Sequence, residues 1–115
     1  MKNFATLQER YLRDPLPIRL GGLAANLARI ESFSNHDDHC GAVECLLDES
    51  KHFIEWTASD ADLDLQIELV EIQRQLSRWH LGLVDIWRNS ERRVLLAQQA
   101  GHWSKLILER SGLLQ

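Results

Sequence analysis

The chain has 115 residues and a mass of 13.3 kDa, the size of one domain, and we treat residues 1–115 as a single domain. Hydrophobic residues make up 44% of the chain and charged residues 26%, which is typical of a folded protein and excludes a disordered one. The formal net charge of -4 excludes a broad basic surface for nucleic acid, but not a local basic patch.

Neither a membrane span nor a signal peptide is expected from the hydropathy pattern. The longest nearly apolar run, residues 20–28, is much shorter than the roughly 20 residues that cross a membrane. Charges at Glu9 and Arg10 interrupt the first segment early. Cys40 and Cys45 would point about 140° apart on a shared helix, so they cannot bond to each other. Two free thiols favour a cytoplasmic location.

Apolar residues recur with a helical period along the chain, and no long stretch alternates with period two, which predicts an all-α fold. We predict helices over residues 4–14, 18–33, 38–57, 61–88 and 91–111. Pro15 and Pro17 separate the first two, because proline removes a donor and restricts the residue before it. Short connections place sequential helices antiparallel, so we predict an up-down four-helix bundle with a short extra N-terminal helix.

The fourth predicted helix carries the strongest pattern in the chain. Its apolar residues follow one another at steps of four and three, which is a heptad seam: Leu65, Leu69, Ile72, Leu76, Trp79, Leu83 and Ile86. We expect a cap at Ser59 or Asp60 and one continuous rod of roughly 42 Å that ends at Arg88. The apolar stripe changes phase after that point, which indicates a break with Asn89 or Ser90 as the next cap.

A second apolar stripe lies on the same helix, about 140–200° from the seam, and consists of Leu63, Ile67, Val70 and Leu81. Trp56 lies off the core face of the third helix in the same way. Either the fourth helix is covered on both sides by its own chain, or the stripe is the interface of a homodimer. We take these five residues as the interface of a non-enzymatic helical interaction module that binds a second copy or a partner protein and needs no cofactor.

An enzymatic alternative rests on Arg74 and His80. Small all-helical nucleases of the HEPN type carry an arginine followed after four to six residues by a histidine, and the segment 74–80 is similar in spacing and helical context. The resemblance implies a ribonuclease, or an inactive relative, in which the histidine transfers protons and the arginine holds phosphate. Gln75 departs from the polar residue that commonly follows the family's arginine.

A weaker alternative is a metal-binding helical bundle. His36, His39 and Cys40 stand close together at the start of the third helix, with Asp37 and Asp38 between them. Zinc takes four nitrogen or sulfur ligands at fixed geometry, so further ligands would have to come from elsewhere in the fold. The two aspartates are explained more simply as helix caps.

The densest basic cluster consists of Arg88, Arg92 and Arg93. It could hold a phosphate or an acidic partner, but such clusters more often pair with neighbouring carboxylates, here Glu91.

The stretch PLPIRLGGLAANLARIESFS at residues 15–34, followed by ESKHFIEW at 49–56, resembles short uncharacterised all-helical proteins of cyanobacteria. The resemblance covers most of the chain. It implies a cytoplasmic helical protein and no particular activity, because no motif within it carries chemistry.

Overall fold

The computed structural model describes residues 3–114, and every regular element in that part of the chain is helical. The helices are α1 (Phe4–Arg13), α2 (Leu16–Phe33), α3 (Cys40–Thr57), α4 (Leu63–Leu81), α5 (Leu83–Trp87) and α6 (Ser90–Ser111). A 3₁₀ turn, Ala58–Asp60, lies between α3 and α4. The all-α prediction is therefore confirmed. No helix within residues 3–114 has both the length and the apolar character that a membrane crossing requires.

The two prolines separate α1 from α2, as their chemistry predicts. Pro15 is extended and precedes the first residue of α2, and Pro17 lies in its first turn. Proline suits these positions because its fixed φ matches a helix and its missing N–H would have no helical partner there. For this reason α2 begins at Leu16, two residues before the predicted start.

All seven seam residues of the predicted fourth helix are buried, so that prediction is confirmed. The prediction of one unbroken rod over residues 61–88 is wrong at both ends. Asp62 caps α4 through its carboxylate, which accepts a 2.9 Å hydrogen bond from the N–H of Leu65. Toward the other end, Gly82 has φ -103° and ψ 18°, and this departure from helical angles separates α4 from α5.

The loop between α2 and α3 is tied to the junction of α5 and α6. The indole of Trp87 donates a 2.7 Å hydrogen bond to the carbonyl of Asp37, and the guanidinium of Arg93 donates one of 3.2 Å to the carbonyl of Ser34. Because Asp37 lies in this tied loop, α3 starts only at Cys40, two residues later than predicted.

The core lies between the long helices, and the most extensive contact joins α2 to α6. Two hydrogen bonds join these helices at different levels. The hydroxyl of Ser104 on α6 donates a 2.7 Å hydrogen bond to the carbonyl of Ala24 on α2, and Arg93, earlier on α6, donates to the carbonyl of Ser34 just after α2. The other face of α2 packs on α3, which in turn packs on α4. The 3₁₀ turn and α5 complete the core at the two ends of α4.

Candidate functional site

The most unusual surface of the protein is the side of α4 that faces away from the seam. We call the exposed aliphatic side chains Leu63, Ile67, Val70 and Leu81 the outer row. Their exposed fractions are 70%, 56%, 52% and 93%, in that order. All four belong to α4 itself, so the break at Gly82 does not divide them.

The spacing of the outer row keeps it on one side of the helix. Steps of four and three lead from Leu63 to Ile67 and Val70, and the same rhythm passes through positions 74 and 77 to Leu81. The row is therefore on the order of 27 Å long at 1.5 Å per residue. Soluble proteins rarely leave large contiguous apolar surface wet unless it binds something.

The centre of this surface is polar. Arg74 and Ser77 are exposed between the two apolar ends, and the guanidinium of Arg74 forms an ion pair of 3.3 Å with the carboxylate of Glu71 one turn earlier. An exposed pair of this kind contributes little to stability. Its presence means that a partner of this surface must accommodate a charged centre as well as apolar ends.

Val84 is a further exposed aliphatic residue close to the end of the outer row, and it was not among the residues predicted for the interface. It lies three positions after Leu81, on α5, and its side chain is well exposed.

Trp56 does not belong to the outer row, contrary to the expectation that grouped them. It is half-buried, and its ring lies 5.8 Å from that of Tyr11 and 5.6 Å from that of His52. The rings of α1 cover this side of α3. Helix α1 therefore explains a tryptophan for which the four long helices alone offered no place.

The two residues of the ribonuclease alternative lie next to different carboxylates. The guanidinium of Arg74 pairs with Glu71, whereas Nε2 of the half-buried His80 lies 3.7 Å from a carboxylate oxygen of Glu44 on α3. Six residues on a helix also turn the two side chains about 120° apart. The chain does not bring them together, and the hypothesis that they meet across a dimer cleft stays a prediction.

The metal alternative has only part of a ligand set. The rings of His36 and His39 lie edge to face at 5.6 Å, and Nε2 of His39 is 3.6 Å from a carboxylate oxygen of Asp38. Burial, with a smaller effect of the Glu44 carboxylate, raises the pKa of the Cys40 thiol. Among residues 3–114, no group of three or more such side chains is arranged to hold a metal ion.

The three arginines of the basic cluster lie in different environments. Arg93 lies with its guanidinium carbon 5.7 Å from the centre of the Trp87 ring and donates a hydrogen bond of 3.1 Å to the carbonyl of that residue, so it is a structural arginine. Arg88 and Arg92 are exposed. The sequence could not distinguish the three, because the distinction depends on the turn that joins α5 to α6.

Comparisons with models of protein families, with curated proteins and with solved structures find no match. The resemblance to cyanobacterial proteins therefore stays a prediction.

Proposed function

We propose that this protein is a non-enzymatic helical interaction module that forms a homodimer through the outer row of α4. The observation that carries the proposal is the exposure of four aliphatic side chains in one line on a single helix. An isologous dimer covers this surface economically, because each copy supplies the same row to the other.

The scaffold that we infer for this row is an up-down four-helix bundle made by α2, α3, α4 and α6. Two contacts of α4 support it: Gln66, near its start, donates to the carbonyl of Ala58 in the turn that follows α3, whereas His80, near its end, lies beside Glu44 near the start of α3. Contacts of α4 with α6 run in the same sense, from Glu68 with Arg110 toward the pair of rings Trp79 and Trp103. Neighbours that meet in this order are antiparallel.

The free energy gained by burying the outer row is comparable with the cost of association. Burying the exposed part of each outer-row side chain stabilises the complex by about 1–2 kcal/mol. For the four side chains of each of two subunits, the sum is on the order of 10 kcal/mol. Association costs about 4–15 kcal/mol in lost freedom. The gain and the cost are of similar size, so a dimer held by the outer row is weak and is sensitive to a single charged substitution.

Sedimentation velocity over a concentration series tests the proposal, with two matched valines. Val70 in the outer row and Val94 on α6 are exposed to nearly the same extent, 52% and 47%. We expect Val70→Glu to weaken the dimer by about 100-fold or more, because each copy would bury an unpaired carboxylate. Val94→Glu is expected to sediment as the wild type.

A wild-type protein that remains monomeric at tens of micromolar contradicts the homodimer. Equal effects of Val70→Glu and Val94→Glu contradict the choice of the outer row as its interface. The thermal unfolding midpoint of each variant, measured at a protein concentration at which the dimer is dissociated, shows whether the fold of the monomer is intact.

We place this module in the cytoplasm. Cys40 and Cys45 are both free thiols in the structure, on the same helix, and free thiols support a reducing compartment. Thiol titration of the protein isolated from its native cells under alkylating conditions tests this: two modified cysteines support the location, and oxidised ones contradict it.

A further inference from the structure

A groove separate from the outer row lies where α4 and α5 face the first turns of α6. Its volume is about 410 Å³, within the usual range for small-molecule sites. Arg78 on α4 and Arg92 on α6 both line it, and the exposed side chain of Leu95 gives it apolar surface above the buried Trp79 and Ile86. The amides of Gln75 and Gln99 add neutral polar groups to the lining.

The two arginines of the groove have no acidic partner within the described residues. Elsewhere on the same helices, Arg74 pairs with Glu71 and Arg110 forms two 2.9 Å hydrogen bonds with one carboxylate. Within residues 3–114, neither Arg78 nor Arg92 forms an ion pair. In a chain with 17 acidic and 13 basic residues, two unpaired guanidinium groups in one groove leave a locally positive site.

The chemistry of the lining defines a class of ligand. A guanidinium presents planar donors that match phosphate and carboxylate oxygens, and the charge of a phosphate monoester near neutral pH, about -1.5 to -2, matches two arginines. A carboxylate carries only one charge. The exposed side chain of Leu95 supplies a surface on which an aromatic or aliphatic body can lie.

We propose that this groove binds a small phosphate monoester with an apolar body, held by Arg78 and Arg92 at the phosphate. Phenyl phosphate is the simplest probe with both features. Isothermal titration calorimetry is expected to give saturable binding with one site per chain. The indole N–H resonance of Trp79 is expected to shift in nuclear magnetic resonance spectra during the same titration.

Charge-removing variants test the role of the arginines. We expect Arg78→Gln and Arg92→Gln each to weaken the binding of phenyl phosphate by about tenfold or more, since each loses a charge-assisted hydrogen bond. Arg88→Gln is the matched control, because Arg88 is exposed and does not line the groove. Its affinity is expected to change by less than about twofold. All three side chains are exposed, so the core packing is unaffected.

Two further probes separate the parts of the proposal. Inorganic phosphate, which lacks the apolar body, and benzoate, which lacks the second charge, are each expected to bind at least about tenfold more weakly than phenyl phosphate. Inorganic phosphate that binds equally well overturns the apolar subsite, and benzoate that binds equally well overturns the preference for phosphate. Absence of saturable binding by phenyl phosphate, or an equal loss in Arg88→Gln, overturns the site itself.

Discussion

The hydroxyl of Tyr11 on α1 donates a 2.7 Å hydrogen bond to the main-chain carbonyl of Arg19 on α2. The same hydroxyl accepts a hydrogen bond of 3.2 Å from the hydroxyl of Thr57, the last residue of α3. Its ring stacks on Phe53, with the ring centres 4.0 Å apart. Because Tyr11 is buried, this one side chain joins three helices through polar groups that have left water.

Tyr11→Phe keeps the stacked ring and removes only the hydroxyl. The carbonyl of Arg19 and the hydroxyl of Thr57 then lose a buried partner, so we expect the free energy of unfolding to fall by about 1–2 kcal/mol. Urea denaturation followed by circular dichroism measures the change. Thr57→Val, alone and combined with Tyr11→Phe, completes a double-mutant cycle; strict additivity of the two losses argues against the coupling.

The same environment predicts instability at alkaline pH. Burial raises the pKa of Tyr11 from 10.0 to about 12, while the Thr57 hydrogen bond and the Arg19 charge oppose the increase. The folded state thus favours the neutral phenol. Its stabilising contribution is complete below pH 10 and is lost as the pH rises from 10 to 12, by a total of about 2–3 kcal/mol.

Tyrosinate absorbance tests this prediction directly, because Tyr11 is the only tyrosine in the sequence. We expect the phenol of the folded protein to titrate well above that of the denatured protein. In Tyr11→Phe the fall in stability between pH 10 and 12 should be smaller than in the wild type. A native titration that coincides with the denatured one is incompatible with the buried phenol.

Arg19 is a buried cation that fastens the start of α2 to the end of α3. It donates to the carbonyls of Asp14 and Trp56, at 3.1 and 3.4 Å, and forms an ion pair of 3.0 Å with the more exposed Asp60. We expect Arg19→Met to cost about 2 kcal/mol or more, because two carbonyls lose their donor. Asp60→Asn leaves those donors in place and is expected to cost less than about 1 kcal/mol. Chemical denaturation of both variants checks the order, and the reverse order would falsify this assignment.

The parts of the fold that follow from local periodicity were predictable from the sequence. Apolar residues at steps of three and four lie on one side of a helix, and all seven seam residues are buried, five on α4 and two on α5. Asn89 or Ser90 was predicted as a cap for α6 from side-chain chemistry, and the cap is Asn89, whose side chain accepts hydrogen bonds from two N–H groups of the first turn.

Contacts between distant segments could not be predicted in this way. Trp56 looked unpartnered because its neighbour, Tyr11, lies 45 positions earlier in the chain and on a helix whose direction the prolines set. Arg78 and Arg92 line the same groove although they lie on different helices. The sequence showed a basic cluster, but it did not show which member of the cluster lines a groove together with an arginine of another helix.

Gly82 offers a test of how much the break after α4 costs. Its φ of -103° is accessible to any L-residue, and an added Cβ would meet only the carbonyl oxygen of Arg78, at an ordinary 3.6 Å. Alanine would restrict the unfolded chain without strain in the folded one, so we expect Gly82→Ala to stabilise the protein by about 0.5–1 kcal/mol. Thermal unfolding measures the gain.

Gly112 is the matched control for this substitution, since it terminates α6 with a φ of 79°. That left-handed angle places a Cβ too close to the backbone, so Gly112→Ala is expected to destabilise the protein by about 1–2 kcal/mol. The same glycine-to-alanine change should therefore raise the stability of the protein after α4 and lower it after α6. A loss of stability in Gly82→Ala comparable to that in Gly112→Ala would mean that position 82 needs glycine for a reason other than backbone freedom.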